Sequence, residues 1–518
     1  MPRASSTFAR AHALMAFALV VAASLRLLAV LGYPGALWFG DSVGYLRSAL
    51  TLTPSGTRAS AYSVMLGALS PLRSLTAVAA VQHLIGLATA VLLYALVHRH
   101  VRASAWGGRW WAPSAAGTAV AAPVLFDAYQ IELEHLLLSD TLFTFLLVAG
   151  VAALLWRTDV TARAAVLAGL LLGLAAVTRT VALPLLLVAL AWLALRGRRG
   201  RRAAVVPALA LAVACAVPIG LYATWFRAAH GRFALTSTEK VFLYGRTAAF
   251  ADCGAIRPRP ALARLCPRTP PEDVSPAYAA LWTDRSPFAA MPGGKAGGNR
   301  IAGEFAWAAI RAQPLDYLRI VVRDTARAFA WSRTVYPSPW TFAKYEFPAR
   351  ERRLNARQAK VARPYAGAAG TRPVIEPYAR WMRAYQRGAY LPGTVLGVLL
   401  LAAAAGIVRG RRNGAASRAV LPWTVSFGLL VVPAATADFD YRYVLPAFPF
   451  GALAVALAFV PSRRSAAPPA ADQEPDRQEE QHHGPDRRNG PLGDRGTRDL
   501  QEVDSVVVLP PPQRRDGS

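Results

Sequence analysis

Ala203–Tyr222 reads AAVVPALALAVACAVPIGLY, and Thr394–Val408 reads TVLGVLLLAAAAGIV; neither run carries a charge. A hydrocarbon core ~30 Å thick needs roughly 20 predominantly apolar residues per helix. Buried helices of a large soluble protein do not account for charge-free runs of this kind. Similar blocks recur along the chain, near 13–32, 76–97, 113–127, 139–156, 162–178, 180–195, 203–225, 390–408, 419–436 and 441–460. The pattern predicts an all-α polytopic membrane protein with about ten transmembrane helices. A large, mainly helical extracytoplasmic loop separates the seventh span from the eighth. Composition agrees: 54% of the 518 residues are hydrophobic and only 17% are charged, too apolar a balance for a soluble chain. The first block is too long for a secretory h-region and is read as a retained span.

Arginine placement sets the orientation. With the N-terminus in the cytoplasm, the inside segments are 2–10, 98–109, 157–163, 196–202, 409–418 and everything after 463, and all of them carry arginine. The segment 127–140 on the opposite side holds Asp127, Glu132, Glu134 and Asp140 with no Lys or Arg. Positive charge concentrated on one side marks the cytoplasmic face, so both termini are expected there, in the plasma membrane. The chain divides into an N-terminal transmembrane module (1–225), an extracytoplasmic region (226–389), C-terminal transmembrane helices (390–461) and a cytoplasmic tail (462–518). The tail is rich in Pro, Gln, Arg and Asp and is expected to be disordered.

The net charge of +28 resides partly in the 226–389 loop, which is long enough to escape the orientation rule. An arginine-rich face suits phosphates and lipid head groups, although a general bias from lysine to arginine explains part of it. Nucleic acid is not an expected partner outside the membrane. In the same loop, Cys253 and Cys266 are expected to form a disulfide, while Cys215 lies within a span as packing. Within 299–331 the apolar residues fall at helical spacing, and Pro314 is expected to split that stretch into two helices. Ala61–Leu69 is a candidate interfacial helix.

Charges at the outer ends of spans are costly and mark candidate sites. Several gather on one face: Asp41 in Phe39-Gly-Asp-Ser-Val-Gly-Tyr45, Arg58 later in the same loop, Glu132-Leu-Glu-His-Leu-Leu-Leu-Ser-Asp140, Arg179, and Arg442 in Asp440-Tyr-Arg-Tyr443. Each has a plain structural alternative. Asp41 suits a helix cap, the arginines suit snorkelling anchors, and Tyr45 suits an aromatic belt. Glu134, His135 and Asp140 are candidates for a divalent cation site or, equally, for a solvated acidic loop.

Glu134-His-x-x-x-Ser-Asp140-x-Leu-Phe143, together with the Asp41 segment, Gly169-Leu-Leu-Leu-Gly-Leu-Ala-Ala-Val-Thr-Arg179 and Arg442-Tyr-Val-Leu-Pro446, resembles the GT-C superfamily of polyprenyl-phosphate-sugar-dependent glycosyltransferases. The likeness is to the protein O-mannosyltransferase and aminoarabinose transferase branch, in an actinobacterial form. It implies transfer of a hexosyl or pentosyl group from a polyprenyl-phosphate donor to a hydroxyl of a protein, lipid or glycan acceptor. By resemblance Asp41 is the base, and Arg58, Arg179 and Arg442 hold the donor phosphate. Tyr45 and Tyr62 line the substrate pocket, and a divalent cation at Glu134, His135 and Asp140 neutralises the phosphate. The competing readings are a transporter or flippase for lipid-linked sugars and a non-catalytic scaffold in cell-envelope glycan assembly. Against transport, the span centres are clean apart from Arg26, and polar groups gather at one face.

Overall fold

The computed structural model describes residues 2–196, 201–367, 371–410 and 416–460. The middle of the arginine patch at 196–202 and the whole of the 462–518 tail lie outside the described residues. The N-terminal part comprises α1 (Pro2–Gly32), α2 (Ser42–Thr51), α3 (Ala61–Leu69), α4 (Leu75–Arg102), α5 (Ala112–Phe126), α6 (Ala128–His135), α7 (Asp140–Leu155), α8 (Ala162–Thr178), α9 (Ala182–Arg196) and α10 (Arg201–His230). Next come α11 (Glu239–Thr247), α12 (Cys253–Ile256), α13 (Pro260–Ala263), α14 (Pro276–Trp282), α15 (Gly294–Ala312), α16 (Pro314–Arg327), α17 (Pro339–Phe342), α18 (Ala356–Ala366) and α19 (Tyr378–Gly388). The chain returns to long apolar helices in α20 (Gly393–Gly410), α21 (Ala416–Thr436) and α22 (Ala447–Phe459).

Six helices are long and apolar enough to cross a membrane: Arg10–Gly32, Leu75–Arg102, Val205–His230, Gly393–Gly410, Arg418–Thr436 and Tyr441–Phe459. The expected third to sixth spans are α5, α7, α8 and α9, of 15 to 17 residues. At 1.5 Å per residue such helices rise roughly 22–26 Å, less than a full hydrocarbon core of ~30 Å. Their outer ends are continued by packed non-spanning elements, as where Asp127 turns the chain from α5 into α6. Large apolar side chains such as Phe17, Leu187, Leu221 and Leu401 stay exposed on the bundle, as lipid contact requires.

The Gly-x-x-x-Gly pair at Gly169 and Gly173 explains how α8 meets α10. A Cβ at Gly169 would stand 2.5 Å from the Leu211 carbonyl, and one at Gly173 would stand 2.6 Å from that of Cys215. Small residues on one face allow two helices to approach at backbone distance, which is how helices associate in lipid. Cys215 is buried in this contact.

Between the spans, the segment from α11 to α15 has its own core, built on Tyr244, Leu265, Phe288 and Phe305. The Cys253–Cys266 disulfide closes a 13-residue loop at its edge. Pro314 opens α16 directly after α15 ends at Ala312, the break expected of it. The Tyr317 hydroxyl then donates to the Ala435 carbonyl at 3.0 Å, tying α16 to the last turn of α21. This region therefore sits on the same end of the bundle as the loops carrying Asp41, Asp140 and Arg442.

Candidate active site

Asp41 is positioned by the chain that leaves α1. Leu37 pairs with the turn between α6 and α7: its N–H donates to the His135 carbonyl, and its own carbonyl accepts from Leu137, both at 2.9 Å. The Ser42 hydroxyl accepts the Phe39 N–H at 2.8 Å and donates to the Leu137 carbonyl at 2.9 Å. Asp41 therefore stands at the start of α2 beside the 136–140 turn. It occupies the N-cap position, yet its side chain makes no capping hydrogen bond. The carboxylate is instead spanned by two guanidiniums, with Arg58 Nη2 at 2.5 Å from Oδ1 and Arg442 Nη1 at 3.0 Å from Oδ2.

Arg442 is held in turn. Its Nε lies 3.3 Å from Asp440 Oδ2, and its guanidinium lies over Phe39 at 4.8 Å and Tyr443 at 5.3 Å. The Tyr345 hydroxyl donates to the other oxygen of Asp440. Arg179 pairs with Asp140 and lies over the ring of Tyr443 at 5.1 Å. The structure thus brings Asp41, Arg58, Arg442, Arg179 and Asp140 to one place, from four separate parts of the sequence.

Two lysines from the 226–389 region complete it. Lys295 Nζ lies 3.3 Å above the ring of Trp282, whose face also meets Arg58 at 5.7 Å. Lys344 Nζ lies 5.2 Å from the centre of Phe39. Burial lowers the Lys295 ammonium to about 8, with Arg58 pulling the same way and Asp41 opposing. Burial also lowers Lys344, with Asp41 and Asp440 opposing. Five cations thus face the three carboxylates of Asp41, Asp140 and Asp440 in a largely buried setting. A cationic excess of two there is a standing demand for an anion. Burial raises the Asp41 carboxyl, but Arg58 and Arg442 together bring it below the ordinary aspartate value. Asp440 is raised by burial against the pull of Arg442.

Lys295, Lys344, Asp440 and Tyr345 went unassigned in the sequence reading. The lysines did leave a trace: the chain contains four in all, and half of them come to this site. In a chain where arginine has displaced lysine almost everywhere, a retained lysine is informative.

Tyr45 and Tyr62 separate in role. Tyr45 Oη lies 3.0 Å from the Ser139 hydroxyl, at the wall of the site. Tyr62 is fully buried edge-on behind Tyr45, and its hydroxyl donates to Gln82 Oε1 at 2.6 Å. It supports the wall and does not line a pocket.

The set Glu134, His135 and Asp140 is not assembled as a cation site. Glu134 receives Arg26 Nε at 2.8 Å and Nη2 at 2.9 Å, with Gln130 Nε2 at 3.1 Å and His83 Nδ1 at 3.0 Å. His135 lies 3.0 Å from His83 and 2.9 Å from the Tyr33 carbonyl, and burial lowers its pKa to about 3. Asp140 faces the other way, toward Arg179. Among the described residues no group of three or more His, Cys, Asp or Glu side chains is placed to hold a metal ion. The solvated-loop alternative fails as well, since Asp127, Glu132, Glu134 and Asp140 are all buried. Asp127 caps α6 through Tyr129 N and Gln130 N, at 2.9 and 3.0 Å.

No family model and no curated protein matches the chain. Among solved structures it is similar to the apo oligosaccharyltransferase of Archaeoglobus fulgidus, with a TM-score of 0.38 and 14% identity over 86% of this chain and 50% of that one. This chain therefore spans about half the length of the archaeal protein. It is also similar to ArnT of Cupriavidus metallidurans in the apo state and bound to undecaprenyl phosphate. Both give a TM-score of 0.29 and 13% identity over 86% of this chain and 76% of that one.

Proposed function

We propose that this chain is a membrane glycosyltransferase of the GT-C kind, moving a sugar from a polyprenyl-phosphate carrier to an acceptor hydroxyl on the extracytoplasmic face. The observation that carries the reading is the Asp41 carboxylate held between Arg58 and Arg442 inside a cationic excess. A phosphate is the natural competitor for those guanidiniums, because it offers the same paired oxygens with equal or greater charge. A lipid phosphate entering from the membrane takes Arg58 and Arg442 as its partners and releases Asp41. Without its guanidiniums the buried carboxylate becomes more basic and accepts the proton of the attacking hydroxyl. The departing lipid phosphate leaves as an anion, so no second carboxyl is needed to protonate it, unlike glycoside hydrolysis. Arg179, Lys295 and Lys344 share the developing negative charge. The carboxylates of the site hold arginines, and the chain's own cations supply neutralising charge to the phosphate.

The direct test is to incubate purified protein with radiolabelled polyprenyl-phosphate hexose or pentose and membranes. Label should leave the carrier and appear on protein, lipid or glycan; retention of all label on the carrier for every sugar would refute the reading. Arg58→Ala should weaken donor binding by roughly ten- to a hundredfold, since a charge-assisted hydrogen bond contributes about 1.5–3 kcal/mol. Unchanged donor affinity in that variant would remove Arg58 from the phosphate site.

Orientation has its own check. Arg300 and Arg157 are both exposed, at opposite ends of the bundle in the positive-inside reading. Arg300→Cys should react with an impermeant thiol reagent in intact cells, and Arg157→Cys should react only after permeabilisation. The reverse result would place the site on the cytoplasmic side. The native background is low, because Cys215 is buried and Cys253 is bonded to Cys266.

A further inference from the structure

A cavity of about 300 Å³ lies in the 226–389 region, and its lining includes Arg264, Arg268, Arg285 and Asp284. Among the described residues none of these three guanidiniums makes an ion pair. Some other arginines of this region are paired, Arg259 and Arg300 with Glu304 and Arg319 with Asp316, while among the described residues others such as Arg257 and Arg311 are not. What sets the cavity apart is that it gathers three unpaired guanidiniums around a single carboxylate, Asp284. Its walls are stiff, because Pro267, Pro271, Pro276 and Pro287 fix the local backbone and Cys266 is tied to Cys253. A site formed in advance loses little order on binding. A volume near 300 Å³ is at the small end of ligand pockets, the size of one or two sugar rings.

The cavity also adjoins the active site through α14. Pro276, Ala279 and Ala280 of that helix face the cavity. At the helix end, Trp282 turns its ring to Lys295 and Arg58. Two to four residues later, Asp284, Arg285 and Ser286 are cavity wall again. One short segment thus forms both the wall of the cavity and the aromatic face of the Asp41 site.

We infer that this cavity is the acceptor subsite and takes an anionic carbohydrate, one bearing a carboxylate or a phosphate next to the hydroxyl-bearing sugar. The inference rests on the transferase reading for the word acceptor. The anion site itself stands on the cavity alone.

The test uses the full chain in nanodiscs of neutral lipid, with glucuronate, glycerol 3-phosphate and uncharged glucose as probes. The two anions should bind and glucose should not, with affinity falling as salt rises. Arg264→Gln combined with Arg268→Gln and Arg285→Gln should lose at least about tenfold in affinity, as expected when charge-assisted partners are removed. All three side chains are exposed, so folding should survive the change. Asp284→Asn removes the cavity's own negative charge and should tighten binding about two- to fivefold, a gain that misfolding cannot imitate. Preference between glucuronate and glycerol 3-phosphate identifies the acidic group. Equal binding by parent and triple variant, or anions bound no better than glucose, overturns the site. Displacement of the probe by phosphatidylglycerol added to the nanodisc makes the occupant a lipid head group and overturns the acceptor assignment. The share of probe binding that the triple variant loses should be the same in Asp41→Asn as in the parent, whereas any binding at Arg58 and Arg442 changes only with Asp41, so failure of the transferase reading and failure of the cavity are seen separately.

Discussion

Asp41→Asn should reduce sugar transfer by about 10²–10⁴-fold, the range a general base contributes, while donor affinity holds or improves. The two halves of this result have one cause. The carboxylate occupies Arg58 and Arg442, at 2.5 and 3.0 Å, and so competes with an incoming phosphate for them. Asparagine removes the charge, weakens that competition and leaves both guanidiniums to the donor. It also removes the group that accepts the acceptor's proton. No other acid lies between the first two spans, so the loop offers no substitute. Asp41→Asn also removes the carboxylate's contribution to stability, so the deciding readout is the chemical step: a carboxylate that served only as a structural counterion would give lower stability with little selective loss of transfer. Transfer rate, donor affinity and melting temperature should be measured together on one preparation. Full activity in Asp41→Asn would move the base to Asp140 or Asp440. The pH response follows from the sign of the shift. The Asp41 carboxyl lies below its ordinary value, so its contribution to stability is complete above the unfolded pKa and is lost as pH falls through the depressed one.

The parts of this molecule that were legible in the sequence are those set by local chemistry. Helix α3 runs over Ala61–Leu69, the stretch read as a candidate helix, and Pro314 begins α16 because proline suits a first turn. Asp41, Arg58, Arg179 and Arg442 stood out because charge is conspicuous at the end of an apolar span. Pairings were not legible, since they join distant positions: Arg442 meets Asp41 across 401 residues. Lys295, in the first turn of α15, and Lys344 fall outside the periodic stretch 299–331, and only the scarcity of lysine marked them. Glu134 and His135 misled because adjacent acid and imidazole resemble ligands on paper. Their partners, Arg26 and His83, lie in the middle of other helices, 108 and 52 residues away. Span length was partly legible. The apolar blocks at 113–127, 162–178 and 180–195 are already short in the sequence, and α5, α8 and α9 run 15 to 17 residues.

Glu134→Ala should destabilise the protein by about 3–5 kcal/mol, the usual cost of breaking a buried ion pair from one side. Arg26 has no access to water, and its charge is balanced by this one carboxylate through two hydrogen bonds. Of the remaining guanidinium hydrogens one serves the Ala22 carbonyl at 3.2 Å, and two serve the Val124 and Leu125 carbonyls at 2.8 and 3.0 Å, which the end of α5 leaves without helical partners. Arg26 therefore joins α1, α5 and α6, and removing Glu134 strands a charge at the junction of all three. Gly86 shows how closely the carboxylate is fitted, because a Cβ there would collide with the Glu134 side chain. Gly86→Ala should accordingly destabilise without touching any charge. Arg26→Met with Glu134→Leu should recover much of the loss, since an apolar pair of similar volume carries no desolvation penalty. Thermal unfolding in detergent of the four proteins, stripped of metal by chelation, checks the series. If Glu134 were a cation ligand, the stripped variant would melt with the stripped parent. A melting temperature for Glu134→Ala equal to the parent's under those conditions would return Glu134 to the ligand role and remove it from the scaffold.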